Sequence, residues 1–225
     1  MVTIIAECGV NHNGDEQTAY KLIDAAIDAG ADVAKFQLFK PEGPREQYKH
    51  LCLPLDAYPR LSAYCCARGI KFACTAFDAE SLEWLIANTD MALIKISSGE
   101  FSNKKLIDIA EEQTDCGMLV IQSIPPNKGE FVRAGFCYLH VVPVYPTLPE
   151  NADLRRVTDS WCDGLSDHSG DIFMPLAAVA LGAQIIECHI TLDKNQDGPD
   201  HKASLDPVQF KEMVRGIRAI EKGLS

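Results

Sequence analysis

The segment GLSDHSGDIFMPLAAVALGAQIIECHI, residues 164–190, decides how the chain folds. Gly164–Asp167 reads as a short strand, Ile172–Leu181 as an apolar helix and Gln184–Ile190 as a further strand. The same alternation runs outward through the whole sequence. Thr3–Glu7, Val33–Gln37, Lys71–Thr75, Ala92–Ser97, Met118–Gln122 and Cys137–Val142 are the other predicted strands. Between them, Glu16–Ala29 carries Ala19, Leu22, Ile23 and Ala26 on one stripe and stops at Gly30. Further helices are expected near Leu61–Arg68, Ala79–Asn88, near Lys104–Glu112 and, briefly, at Asn151–Thr158. The last helix is signalled by Asp206 as cap, Pro207 in the first turn, and Phe210, Met213, Val214, Ile217 and Ile220 facing inward. Strands alternating with helices make a parallel sheet, and eight such units close a (β/α)₈ barrel. At 225 residues the barrel is lean, a single domain over 1–225. Its fifth helix is expected to be missing, because SIPPNKGEFVRAGF after the fifth strand is broken by prolines and glycine.

Composition narrows the function. Hydrophobic residues at 47% and charged residues at 24% are ordinary for a globular enzyme. A formal net charge of −11 argues against nucleic acid, whose phosphate backbone needs a basic face. An anionic small molecule stays compatible if a few lysines converge in one pocket. No apolar run approaches the ~18 residues that cross a bilayer. The opening MVTIIAECGVNHNGD has no basic segment, so a cytoplasmic location is expected. The nine cysteines are scattered, odd in number and partly in apolar runs, and are read as reduced thiols.

In a (β/α)₈ barrel the active site lies at the C-terminal ends of the strands. There the chain is polar: Glu7 on the first strand, Lys35 and Gln37 on the second, Thr75 on the third. Lys95 on the fourth runs into Ser98 and Glu100, the sixth leads to Tyr145, the seventh to Ser166 and His168, the eighth to Glu187 and His189. Such residues are costly to bury unless paired or functional. His168 and His189, on adjacent strands, suit a divalent metal with open positions, and equally suit a hydrogen-bonded pair. Lys35 and Lys95 need anionic partners. An internal glutamate would serve; with Ser98 and Ser166 nearby, a phosphorylated acid fits better. Cys8 beside Glu7 is turned away by strand alternation if Glu7 faces inward.

Six stretches resemble the sialic acid synthase family: IIAECGVNHNGD (4–15), LIDAAIDAGADVAKFQ (22–37), FACTAFD (72–78), IKISSGE (94–100), YPT (145–147), and GLSDHSG (164–170) with ALGAQIIECHITLDKNQDGPDHKAS (180–204). The resemblance implies a transferase on a (β/α)₈ barrel. It would condense phosphoenolpyruvate with an N-acetylated hexose aldehyde, N-acetylmannosamine-like, to a nonulosonic acid and phosphate. It further implies that His168 and His189 hold Mn²⁺, with Mg²⁺ or Co²⁺ as substitutes. By the same resemblance Lys35, Thr75, Lys95, Ser98 and Ser166 hold phosphoenolpyruvate, and Glu100 acts in proton transfer. Glu7, Tyr145 and Asp200 lie near the sugar, and Glu187 lies beside a metal ligand. His12, His201 and Lys202 sit in matched loops, where ordering the loop and touching substrate are both open.

The sequence also departs from the family. Gln122-Ser123-Ile124-Pro125 stands where Ser-Thr-Gly-Met is usual, leaving Ser123 as a substitute phosphate contact. Pro143 replaces a polar residue before Tyr-Pro-Thr, and the loop after the second strand is short. Family members carry a further C-terminal domain that delivers an arginine to a partner subunit's site. With the last residue at Ser225, the expectation is a homodimer or a separate lid protein. The competing expectations are condensation with another aldose to a 3-deoxy-ulosonic acid, a metal-dependent sugar epimerase or isomerase, and a non-catalytic or sugar-binding barrel subunit.

Overall fold

The computed structural model describes residues 1–125 and 133–224. Eight parallel strands close in sequence order into one barrel. They are β1 (Thr3–Gly9), β2 (Val33–Leu38), β3 (Lys71–Ala76), β4 (Met91–Ile96), β5 (Leu119–Ile124), β6 (Phe136–Val141), β7 (Gly164–Asp167) and β8 (Ile185–His189). The helices packed outside are α1 (Glu16–Ala29), α2 (Ala57–Arg68), α3 (Ala79–Asn88), α4 (Lys104–Asp115), α5 (Phe173–Ala180) and α6 (Pro207–Leu224). Every predicted strand is present, within two residues at each end. The absent fifth helix was expected where residues 126–132 lie, outside the described residues.

The helices end where side chains can take up the exposed backbone groups. Asp15, Asp78 and Asn103 accept from Thr18, Ser81 and Leu106 N–H at the starts of α1, α3 and α4. Gly30 and Gly69 close α1 and α2 in the left-handed conformation. The helix expected from Leu61 begins at Ala57, because Pro59 lies in the first turn, where a missing N–H costs nothing. The helix expected over Asn151–Thr158 is instead two 3₁₀ turns, Pro149–Asn151 and Leu154–Thr158. Asp153, with φ of 40°, separates them and breaks the helical run.

Alternation along each strand sorts the barrel into an outer core and stacked inner tiers. Even-numbered residues of β1, such as Ile4, Ala6 and Cys8, pack outward with Phe36, Phe72, Ile94, Ile186 and the helix faces. Inside, Ile5, Val33, Ala73, Leu93, Ile121, Leu139 and Ile185 form a separate apolar plug. Each buried Val, Leu or Ile there contributes roughly 1.5–3 kcal/mol relative to exposure. The eighth inward position of this tier is Gly164. A Cβ there would lie 1.8 Å from the Ile185 carbonyl oxygen, so only glycine lets β7 sit this close to β8. Two residues further along each strand the inward set becomes Glu7, Lys35, Thr75, Lys95, Ser123, Val141, Ser166 and Glu187. All eight are buried. Two residues further again come Gly9, Gln37, Ser97, Pro143, His168 and His189, at the mouth.

Candidate active site

The charged tier is held by reciprocal pairing across the barrel. Lys95 Nζ lies 2.8 Å from Glu187 Oε1, and Ser166 Oγ donates to the same oxygen at 2.7 Å. Lys35 Nζ lies 3.5 Å from Glu187 Oε2, is in contact with Glu7 Oε2, and donates to Thr75 Oγ1 at 3.2 Å. Gln37 Nε2 donates to Glu7 Oε1 at 3.1 Å. Gly9 makes this approach feasible, since a Cβ would sit 2.6 Å from Glu7 Oε1 and 3.0 Å from Gln37 Nε2. Burial opposes the Glu187 charge, but Lys35 and Lys95 outweigh it and hold the carboxyl well below the usual carboxylate range. Lys35 is pulled down to about 8 by burial first, with Glu187 opposing and Lys95 reinforcing the shift.

Above this tier the two imidazoles meet, ring centroids 5.3 Å apart and inclined at 67°. Burial lowers both, His168 to about 4 and His189 well below its ordinary value, so both are neutral near pH 7. His168 Nδ1 lies 2.9 Å from the Val142 carbonyl, an acceptor only. Its Nδ1 is therefore protonated, and the lone pair sits on Nε2, 3.0 Å from the Tyr145 hydroxyl. His189 Nδ1 has no hydrogen bond and faces Asp200 Oδ2 at 3.4 Å. Burial raises Asp200 to about 6, against the pull of Lys35. Two neutral imidazoles, one with a fixed tautomer and one with an orphaned buried nitrogen, fit a cation with open positions. Among the described residues no group of three or more His, Cys, Asp or Glu side chains is arranged to hold a metal.

One cavity of about 400 Å³ joins these groups. That is within the range of small-molecule sites. Its lining includes Glu7, Lys35, Thr75, Lys95, Ser98, Tyr145, Ser166, His168, Glu187, His189 and Asp200, so all but one of the predicted site residues converge on it. The exception is Glu100, on the 3₁₀ turn Ser98–Glu100 after β4. Its carboxylate accepts from Asn103 Nδ2 at 2.9 Å and lies 3.7 Å from Arg45, at the rim rather than in the lining. Ser123 does reach the cavity, whereas Gln122 turns outward and donates to the Phe101 carbonyl. Pro143 lines the mouth.

The flanking loops hold the mouth in place. Asn11 Nδ2 donates to the Ile190 carbonyl at 2.9 Å and to Ser204 Oγ at 2.8 Å. His201 is fully buried between Thr191 Oγ1, at 2.7 Å, and Asn13 Oδ1, at 3.1 Å, so it ties the loop that carries Asp200. Lys202 is exposed. His12 is buried and accepts from Gly14 N–H at 3.1 Å, shaping the turn after β1. Cys8 lies in the outer core, and burial raises its thiol well above the ordinary value. All nine cysteines are free thiols. Sequence reading missed Arg45, Tyr48 and Leu51, which the 3₁₀ segment Gly43–Leu51 brings to the cavity wall. The sequence after β2 is mostly polar, and the buried apolar Phe39, Leu51 and Leu53 are the signal that it folds back over the barrel.

A sequence profile of the NeuB family matches residues 44–225. The chain belongs to the NeuB family. An N,N'-diacetyllegionaminic acid synthase of Campylobacter jejuni is 36% identical over 98% of this chain and 77% of its own length. An N-acetylneuraminate-9-phosphate synthase of Mus musculus is 34% identical over 98% and 70%. Among solved structures, a sialic acid synthetase of Leptospira borgpetersenii in complex with citrate superposes with a TM-score of 0.87 at 31% identity, covering 100% of this chain and 85% of that one. The matched NeuB region includes every site strand from β3 onward, and the full-length relatives extend the likeness to β1 and β2.

Proposed function

We propose that this NeuB chain condenses phosphoenolpyruvate with the aldehyde of an N-acetylated hexose, N-acetylmannosamine-like, to give a nonulosonic acid and phosphate. The names of its relatives support a sialic-type synthase, and the acceptor is the finer part of the reading. The observation that carries it is the stacking of two buried lysines and their hydroxyl neighbours directly beneath two neutral imidazoles in one cavity. An anion and a polarisable carbonyl would be held against each other there.

Lys95, Thr75, Ser98 and Ser166 bind the phosphate and carboxylate oxygens, with Lys35 alongside, and so fix the enol carbon against the aldehyde. His168 and His189 would hold a divalent cation, Mn²⁺ by preference, which when bound supplies Lewis acidity to the aldehyde oxygen. Glu7, Tyr145 and Asp200 orient the sugar. The bond formed joins C3 of the enol to the aldehyde carbon, leaving positive charge at C2. Water adds at C2, and its proton passes to a carboxylate, for which Glu100 is the candidate once it leaves Arg45. The tetrahedral adduct then breaks the C2–O bond to phosphate as its C2 hydroxyl gives up a proton, releasing phosphate and the 2-keto acid, and the former aldehyde oxygen takes up a proton to become a hydroxyl. General-base help of this kind contributes about 10²–10⁴ in rate.

The test is to incubate the chain with Mn²⁺, phosphoenolpyruvate and a panel of N-acetylated and plain aldoses, and to measure phosphate and 2-keto acid. Equimolar release with an N-acetylated hexose is expected. Release only with a plain aldose would move the acceptor, and phosphoenolpyruvate binding without any release would favour a sugar-binding barrel. An absence of phosphoenolpyruvate binding would remove the synthase reading altogether.

A further inference from the structure

The lysines of the charged tier are largely committed: Lys95 to Glu187 at 2.8 Å and Lys35 to Glu7 and Glu187. Arg45 is different. It lines the same cavity, half-buried, with its guanidinium carbon 3.6 Å from the centroid of the Phe77 ring. Stacking of this kind fixes the plane of the group and leaves its N–H donors pointing sideways. Its carboxylate partner, Glu100, is 3.7 Å away, beyond hydrogen-bond length, and Arg45 makes no hydrogen bond among the described residues. Five donors on a permanent cation are therefore weakly used. Phe77 follows β3 and Glu100 follows β4, which places the guanidinium over the β3–β4 side of the mouth.

The neighbouring strand ends carry a second, independent anomaly. Ser97 Oγ after β4 and Ser123 Oγ on β5 are buried, both residues line the cavity, and neither hydroxyl has a partner. Orphaned hydroxyls facing a cavity are costly unless a ligand completes them. They sit at the adjacent ends of β4 and β5, with β6 between them and the His168 strand β7, and β4 opposite the His189 strand β8. Two unpartnered hydroxyls and an under-used guanidinium lining one cavity describe a receptor for a tetrahedral oxyanion.

We propose that Arg45 binds the phosphate group of the enol phosphate together with Ser97 and Ser123, and that in doing so it lets go of Glu100. The proposal deepens the condensation reading and rests on it. One arginine then has two partners in turn. Before substrate arrives it pairs loosely with Glu100 at the rim, where Asn103 Nδ2 also donates to the carboxylate; once the phosphate takes the guanidinium, Glu100 loses that pull and can turn toward the cavity. Phosphate binding and the arrival of the base are thereby coupled, and water activation waits for a loaded site.

The coupling has a sign that a structural role lacks. With the full chain, Mn²⁺ and the acceptor found active, the KM for phosphoenolpyruvate and the inhibition constant of inorganic phosphate are measured for the wild type, Arg45→Ala, Arg45→Lys and Glu100→Gln. Arg45→Ala should raise both constants by about tenfold or more, with the acceptor KM unmoved, and Arg45→Lys should recover part of the loss. Glu100→Gln should lower the phosphate constant, because the guanidinium no longer has a competing carboxylate, while turnover falls. Unchanged phosphate and phosphoenolpyruvate constants in Arg45→Ala, or a raised acceptor KM in their place, would overturn the assignment. A phosphate constant that rises in Glu100→Gln would overturn the exchange. A wild type that neither consumes phosphoenolpyruvate nor binds it would fail the condensation reading itself, an outcome distinct from a normal wild type with an indifferent Arg45.

Discussion

Two adjacent tiers of one barrel are built to opposite rules. The plug of Ile5, Val33, Ala73, Leu93, Ile121, Leu139 and Ile185 is wholly apolar and closed by Gly164. The tier above it, one strand period along, holds Glu7, Lys35, Lys95 and Glu187 with Thr75, Ser123 and Ser166, equally buried. The backbone is the same and the burial is the same, so the chemistry of the upper tier is not something the barrel needs in order to close. A buried ion pair is seldom more stabilising than well-packed apolar residues of similar size. The lower tier therefore stabilises the fold, and the upper tier is carried by the fold for another purpose. The imidazoles and Arg45 sit on the upper side of that divide.

The largest expected effect breaks the upper tier from within. Glu187→Gln leaves two buried ammonium groups short of their shared carboxylate, and should cost about 3–5 kcal/mol of stability as well as turnover. Chemical denaturation beside the phosphate-release assay reads both; a stable, active variant would mean that the tier is not held by this pair. Glu100→Gln comes next and separates catalysis from folding. Turnover should fall about 10²–10⁴-fold with the melting temperature unchanged. Gly164→Ala in the plug does the reverse: loss of about 1–3 kcal/mol or more from the clash with the Ile185 carbonyl, with turnover per folded molecule preserved. The smallest effect, taken per pH unit, concerns the loop imidazole His12, which burial lowers from its ordinary 6.5 to about 4. Between those values the unfolded chain binds the extra proton, so stability present above pH 6.5 is lost as pH falls toward 4, by about 1.4 kcal/mol per pH unit. His12→Gln should flatten that slope in a series of thermal melts, and an unaltered slope would place the titration elsewhere.

The division between the tiers was partly legible before the structure. Strand alternation marked Glu7, Lys35, Lys95, Glu187, His168 and His189 as strand-end residues, and turned Cys8 outward. The partners were not legible. Lys95 and Glu187 are 92 positions apart, and only closure of the barrel brings them to 2.8 Å. The reach of Glu100 was unreadable for the same reason, since its pairing with Arg45 depends on a 3₁₀ segment that looks in sequence like an ordinary polar loop. α2 starts at Ala57, ahead of the expected Leu61, with Pro59 in its first turn, where a proline is neutral.

Calorimetric titration of phosphoenolpyruvate in the presence of Mn²⁺ tests the contrast between the tiers most directly. One saturable site per chain is expected in the wild type, retained in the plug variant Leu139→Val and weakened at least about tenfold in Lys95→Met. Binding that is absent from the wild type, or indifferent to the loss of Lys95, would contradict the account.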